Sequence, residues 1–158
     1  MLYTMKINRV LLLGLVLVKS VFVAASQERC VPVGMLCEYL SNPLGIDALH
    51  PRLRWHLDDV RDKAMQKACR VLVSTDSLKL ADKNYADCWD TGKRKTETMQ
   101  FVYNGKKLLP FTKYFWKVEV WDKDGNKTSS DIASFETGML EMHNWRGSWI
   151  SQVMLKIT

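Results

Sequence analysis

Between Tyr114 and Trp121 the even positions, Tyr114, Trp116, Val118 and Val120, are aromatic or β-branched, while the odd positions include the charged Lys117 and Glu119. A period of two is that of a strand with one face in a core and the other toward water. The strand is entered through Leu109-Pro110-Phe111-Thr112. A Tyr four residues after a Pro, at such an entrance, matches the tyrosine corner of Greek-key sandwiches, where the phenol hydroxyl bonds back to upstream backbone and fixes the crossover. By alternation Tyr114 and Trp116 are inward scaffold residues, whereas Phe115 and Trp121 fall on the opposite face.

Six further segments carry strand patterns. Residues 31–40 are an apolar stretch ending at Ser41-Asn42-Pro43, and residues 52–57 place Leu53, Trp55 and Leu57 on one face, with Trp55 buried. Residues 68–74 put Cys69, Val71 and Val73 inward, and residues 89–93 run into a glycine turn. Residues 97–103 align Met99, Phe101 and Tyr103 ahead of Asn104-Gly105, a strong tight-turn signal. Residues 132–137 form the last strand, closed by Gly138. Between these, residues 42–51 hold two prolines, a glycine, Asn and Asp and read as a structured turn. Residues 58–67 read as a long solvated hairpin loop, residues 78–86 as a helical turn or irregular crossover, and residues 122–127 as a hairpin turn on Asp124-Gly125. Seven strands over residues 32–138, with no competing amphipathic helix, predict an all-β fold. Its type is an antiparallel sandwich, immunoglobulin or fibronectin type III-like, with the Tyr114 strand penultimate.

Composition fits one such domain, since 158 residues that are 47% hydrophobic can bury a packed core. Residues 1–25 stand apart. Lys6, Arg9 and Lys19 without any acid, an apolar run over residues 10–18 and Ala24-Ala25-Ser26 have the layout of a secretory signal with its small-residue cleavage site. Lys19 cuts the apolar run well short of the ~20 residues a membrane span needs, so the expectation is a periplasmic or extracellular chain with no membrane partner after cleavage. The net charge of +6 comes from 23 basic and 17 acidic residues, and the signal removes three of the basic ones. The clusters left, Lys93-Arg94-Lys95 and Lys106-Lys107, make no basic stripe interleaved with aromatics, so no nucleic-acid partner is expected. Cys30, Cys37, Cys69 and Cys88 allow three disulfide connectivities, among which their spacing does not choose. No C-x-x-C pair points to zinc. Cys69, alternating with Val71 and Val73, reads as a small buried hydrophobe.

Two acidic groupings have the residue types for chemistry. Asp58, Asp59 and Asp62 resemble paired carboxylates that flank a scissile bond, yet Arg61 and Lys63 accompany them and no apolar neighbour would raise a pKa. Asp122, Asp124 and Asn126 alternate as in a calcium loop, but the required Gly falls on Lys127 and the terminal Glu on Ala133. No catalytic residue, metal ligand or cofactor is therefore assigned. The remaining candidates are the outward rings of Phe115 and Trp121, which suit stacking on a sugar or coverage by a neighbouring domain.

Several motifs carry a resemblance beyond fold class. In order they are Leu36-Cys37-Glu38-Tyr39, Asn42-Pro43-Leu44-Gly45-Ile46-Asp47, Pro51-Arg52-Leu53-Arg54-Trp55, and Cys69-Arg70-Val71-Leu72-Val73-Ser74. Then come Trp89-Asp90-Thr91-Gly92-Lys93, the strand from Tyr114 to Asp122, Phe135-Glu136-Thr137-Gly138, and Trp145-Arg146-Gly147-Ser148-Trp149-Ile150. In order and spacing they resemble the N-terminal fibronectin type III-like module of bacterial α-L-rhamnosidases, glycoside hydrolase family 78. The resemblance implies a non-catalytic module of a secreted enzyme that removes terminal L-rhamnose from plant glycans with inversion. The general acid and base of such an enzyme would lie in a helical barrel downstream, so no catalytic residue is carried onto this chain. The implied partners are the downstream domains, with residues 139–158 as a linker or truncated start of the next one, and rhamnose-containing glycans. The alternative is a stand-alone secreted module that binds carbohydrate or protein.

Overall fold

A computed structural model describes residues 30–61 and 63–148. The expected signal, Asp62 and residues 149–158 lie outside the described residues. Nine strands run in the order β1 (Val31–Cys37), β2 (Arg52–Asp58), β3 (Gln66–Ser74), β4 (Trp89–Asp90), β5 (Arg94–Lys95), β6 (Gln100–Val102), β7 (Lys113–Asp122), β8 (Lys127–Ser129) and β9 (Ala133–Glu136). A short helix, α1 (Ser77–Asp82), follows β3, and a single 3₁₀ turn (Met142–Asn144) follows β9. One sheet has the order β1-β2-β6, and the other β4-β3-β7-β8, with β5 also on β3 and β9 also on β7. Every strand pairing is antiparallel.

The difference between seven expected strands and nine has a local cause. β4 and β5 pair with successive parts of β3, interrupted at Gly92, whose φ of +62° is open to glycine at no steric cost. β8 and β9 likewise divide between the two ends of β7. The two strands that alternation missed, β5 and β8, are two and three residues long and polar. The first strand also ends at Cys37, three residues earlier than its apolar run, because Glu38 and Tyr39 adopt φ of +48° and +66° and turn the chain. Residues 66 and 67, read as loop, begin β3.

The core lies between the sheets. Leu53 and Trp55 from β2 meet Cys69, Val71 and Val73 from β3, and Tyr114, Trp116, Val118 and Val120 from β7. Each fully buried aliphatic contributes about 1.5–3 kcal/mol relative to exposure. Trp55 stacks on Phe101 at 6.0 Å and Tyr114 on Phe135 at 5.3 Å. The turn segment around Asn42-Pro43 serves as a strap on β9. Asn42 accepts the Ser134 amide at 2.8 Å, the Pro43 carbonyl accepts that of Glu136, and Glu136 accepts that of Ile46. This occupies backbone groups that an open edge would offer to another chain.

Candidate binding face

The inward positions of β7 are buried as alternation requires, but its outward positions are not simply solvated. Lys117 and Glu119 are 8% and 2% exposed. The reason is α1, which Asp76 caps by accepting the Leu78 amide at 2.9 Å and which buries Leu80 against the sheet. Six residues are too few for a helix to persist in water without such packing. Lys117 Nζ donates to the Leu80 carbonyl at 2.6 Å, so a strand lysine terminates the last turn of the covering helix. Burial depresses the Lys117 pKa, and Lys127 and Arg70 add to that effect. Glu119 accepts from Asn84 at 2.8 Å and pairs with Arg70 and Lys127. Burial alone would raise its pKa, but these partners hold it below the usual carboxylate range.

Phe115 and Trp121 sit at opposite ends of this covered strip. Six residues of strand separate them by about 20 Å, and Lys117 and Glu119 lie between, so the two rings do not form one surface. Both are half-buried. Lys113 lies 5.5 Å from the Phe115 ring centroid. Lys93 lies 4.3 Å and Lys127 5.5 Å from the Trp121 ring centroid. Tyr114, Trp116 and Trp55 all lie in the core, at 2%, 0% and 1% exposure. The Tyr114 hydroxyl accepts the Leu109 amide at 2.8 Å.

The acidic loop departs from the expectation of full solvation. Asp59 and Asp122 side chains are 2% and 0% exposed and converge on Arg61, at 2.6 and 2.9 Å, with Asp124 joining at 2.8 Å. Arg61 is thus the centre of a three-carboxylate cluster linking the β2–β3 loop to the β7–β8 turn. The guanidinium holds Asp59 far below the ordinary carboxylate range. Burial opposes the same shift at Asp122, where Asn126 and Arg61 outweigh it. Asp122 also accepts the amides of Asp124 and Asn126, both at 2.9 Å, so its oxygens organise the turn. Carboxylates held ionised in this way are ion-pair acceptors, the reverse of the raised pKa a general acid uses.

All four cysteines are free thiols. Burial raises Cys37 to about 12 and Cys69 to about 11, and burial with Asp87 raises Cys88 to about 11. Gln66 is a structural residue that alternation could not find. Buried at 1% exposure, it accepts Trp55 Nε1 at 3.2 Å and donates to the Thr98 and Thr96 carbonyls at 2.7 and 3.2 Å. A polar residue preceding a strand reads as loop, and only the facing indole makes it core.

Two antiparallel sheets packed through Trp55 and Trp116, with a tyrosine hydroxyl bonded to backbone at the entrance of the long strand, define an immunoglobulin-type sandwich. The family model described as "Rha78A-like, N-terminal immunoglobulin domain" matches residues 32–141, and the chain belongs to that family. An α-L-rhamnosidase of Streptomyces avermitilis is 39% identical over 116 residues, which are 72% of this chain and 11% of the relative. One of Formosa agariphila is 32% identical over 155 residues, 93% of this chain and 16% of the relative. Among solved structures, an α-L-rhamnosidase from Dictyoglumus thermophilum superposes with a TM-score of 0.74 at 35% identity, covering 81% of this chain and 15% of that one. The chain therefore spans only a small part of the length of each of these relatives.

Proposed function

We propose that this chain is the N-terminal, non-catalytic sandwich module of an exported α-L-rhamnosidase of glycoside hydrolase family 78. The observation that carries the reading is the 39% identity to the Streptomyces avermitilis enzyme over 116 residues, which are 72% of this chain and only 11% of that enzyme. Its buried carboxylates support the non-catalytic half, because Asp59, Asp122 and Glu119 are committed to Arg61, Arg70 and Lys127. In this reading the acid and base for hydrolysis reside in another domain, residues 1–25 direct export, and the module stabilises or positions the enzyme body. The test has two arms. Purified chain should release no p-nitrophenol from p-nitrophenyl α-L-rhamnoside, and turnover above a buffer blank would overturn the reading. Grafted in place of the corresponding module of the Streptomyces avermitilis enzyme, the chain should restore the soluble yield lost when that module is deleted.

A further inference from the structure

A lysine-rich surface lies around Trp121, and only the sheet brings it together. Antiparallel register aligns Lys95 of β5, Ala68 of β3, Trp121 of β7 and Lys127 of β8 in one row. Three strand spacings make that row about 14 Å long. Ala68, with only a methyl side chain, is the register partner of Trp121 in this row, and the indole is half-buried. A groove of about 520 Å³ opens beside it, lined by Lys67, Lys93, Lys95, Lys123, Glu97 and Trp121 among others. Its volume is in the range of small-ligand sites.

The charge in this groove is unbalanced. Glu97 is taken by Lys67 at 2.6 Å, and Asp122 is turned inward to Arg61. Among the described residues no carboxylate forms an ion pair with Lys93, Lys95 or Lys123. All three are exposed. Lys93 rests over the indole at 4.3 Å, a contact weaker at an exposed site than a charge-assisted hydrogen bond to a carboxylate. An aromatic plane beside several uncompensated ammonium groups suits a ligand with an apolar ring face and carboxylates at its edge.

We infer that the Trp121 groove binds a uronic-acid oligosaccharide, with a sugar ring against the indole and its carboxylates on Lys93, Lys95 and Lys123. A single small anion would use neither the indole nor the length of the row. Single-stranded nucleic acid binds through successive stacked bases, and this groove holds one ring. The inference extends the module reading above by giving the module a ligand, but its test does not involve rhamnoside hydrolysis.

The full chain is titrated by calorimetry with penta-galacturonate, with its methyl ester, and with octathymidylate. Penta-galacturonate should bind, weakening as salt rises, and the ester, which keeps the rings and loses the charges, should bind far less. The double variant K93Q/K95Q should weaken binding roughly fivefold, as expected for two lost exposed ion pairs, while its thermal midpoint stays near that of the parent. Lysine variants carry the test because Trp121 is half-buried and its removal could disturb the sheet. No heat up to millimolar penta-galacturonate, equal binding of the ester, equal binding of octathymidylate, or unchanged affinity in K93Q/K95Q would each overturn the assignment. Failure of the hydrolysis or grafting test above would overturn the module reading and leave this site standing, whereas failure of the titration would remove the site and leave the module reading standing.

Discussion

The hydroxyl of Tyr114 accepts the backbone amide of Leu109 at 2.8 Å, closing the corner that leads into the longest strand. Phenylalanine in its place keeps the stacking on Phe135 and removes only the acceptor. Tyr114→Phe should cost about 1–3 kcal/mol of unfolding free energy, the usual cost of stranding a partly buried donor. Urea denaturation checks this, with the midpoint falling and the slope unchanged.

Trp55 and Trp116 have similar burial and different polar environments. Trp55 Nε1 donates to Gln66, whereas the buried Trp116 Nε1 has no hydrogen-bond partner among the described residues. Gln66→Leu should therefore destabilise by about 1–3 kcal/mol by leaving the Trp55 donor and the Thr98 carbonyl unpaired. In a Trp55→Phe background the same change should cost less, and a double-mutant cycle measures the coupling.

Acid should act first at the Arg61 cluster. Asp59 and Asp122 are held below the ordinary carboxylate range in the folded chain. Their contribution to stability is therefore complete above the unfolded-state value of about 3.9 and is lost as pH falls below it. Arg61→Met should lower the urea midpoint strongly at neutral pH, where it leaves two buried carboxylates unpaired, and much less near pH 3. A penalty that grew on acidification would contradict this assignment.

The thiols should be slow. With Cys37 raised to about 12 and Cys69 to about 11, hardly any thiolate exists near neutral pH. Ellman's reagent should label Cys88, the half-buried one, ahead of Cys30, Cys37 and Cys69, and all four should react in urea. Fewer than four thiols in urea without reductant would mean that a disulfide had formed.

The fold was legible because its signals are local. The alternation of Tyr114, Trp116, Val118 and Val120 is enforced by the pleat itself, and all four are buried as that period demands. Short polar strands have no such signature. β5 and β8 exist because β7 and β3 present unpaired backbone edges to them, a cause outside their own residues.

The binding face was legible only in part. Trp121 was visible as an outward ring, and the basic run at Lys93-Arg94-Lys95 as a charge cluster, but 26 residues of sequence separate Lys95 from Trp121. Nothing local joins them. Phe115, its companion by alternation, belongs to the far end of the strand.

By itself the sequence determined the class of fold and which side of β7 faces the core, because strand periodicity and turn residues act within a few positions of the chain, and its ordered motifs carried the resemblance to the family. Tertiary structure decided that Lys117 and Glu119 are buried beneath α1, that Arg61 gathers three carboxylates, and that Trp121 lies in a lysine-lined groove. These depend on register and on what covers a face, and both follow from packing between segments far apart in sequence.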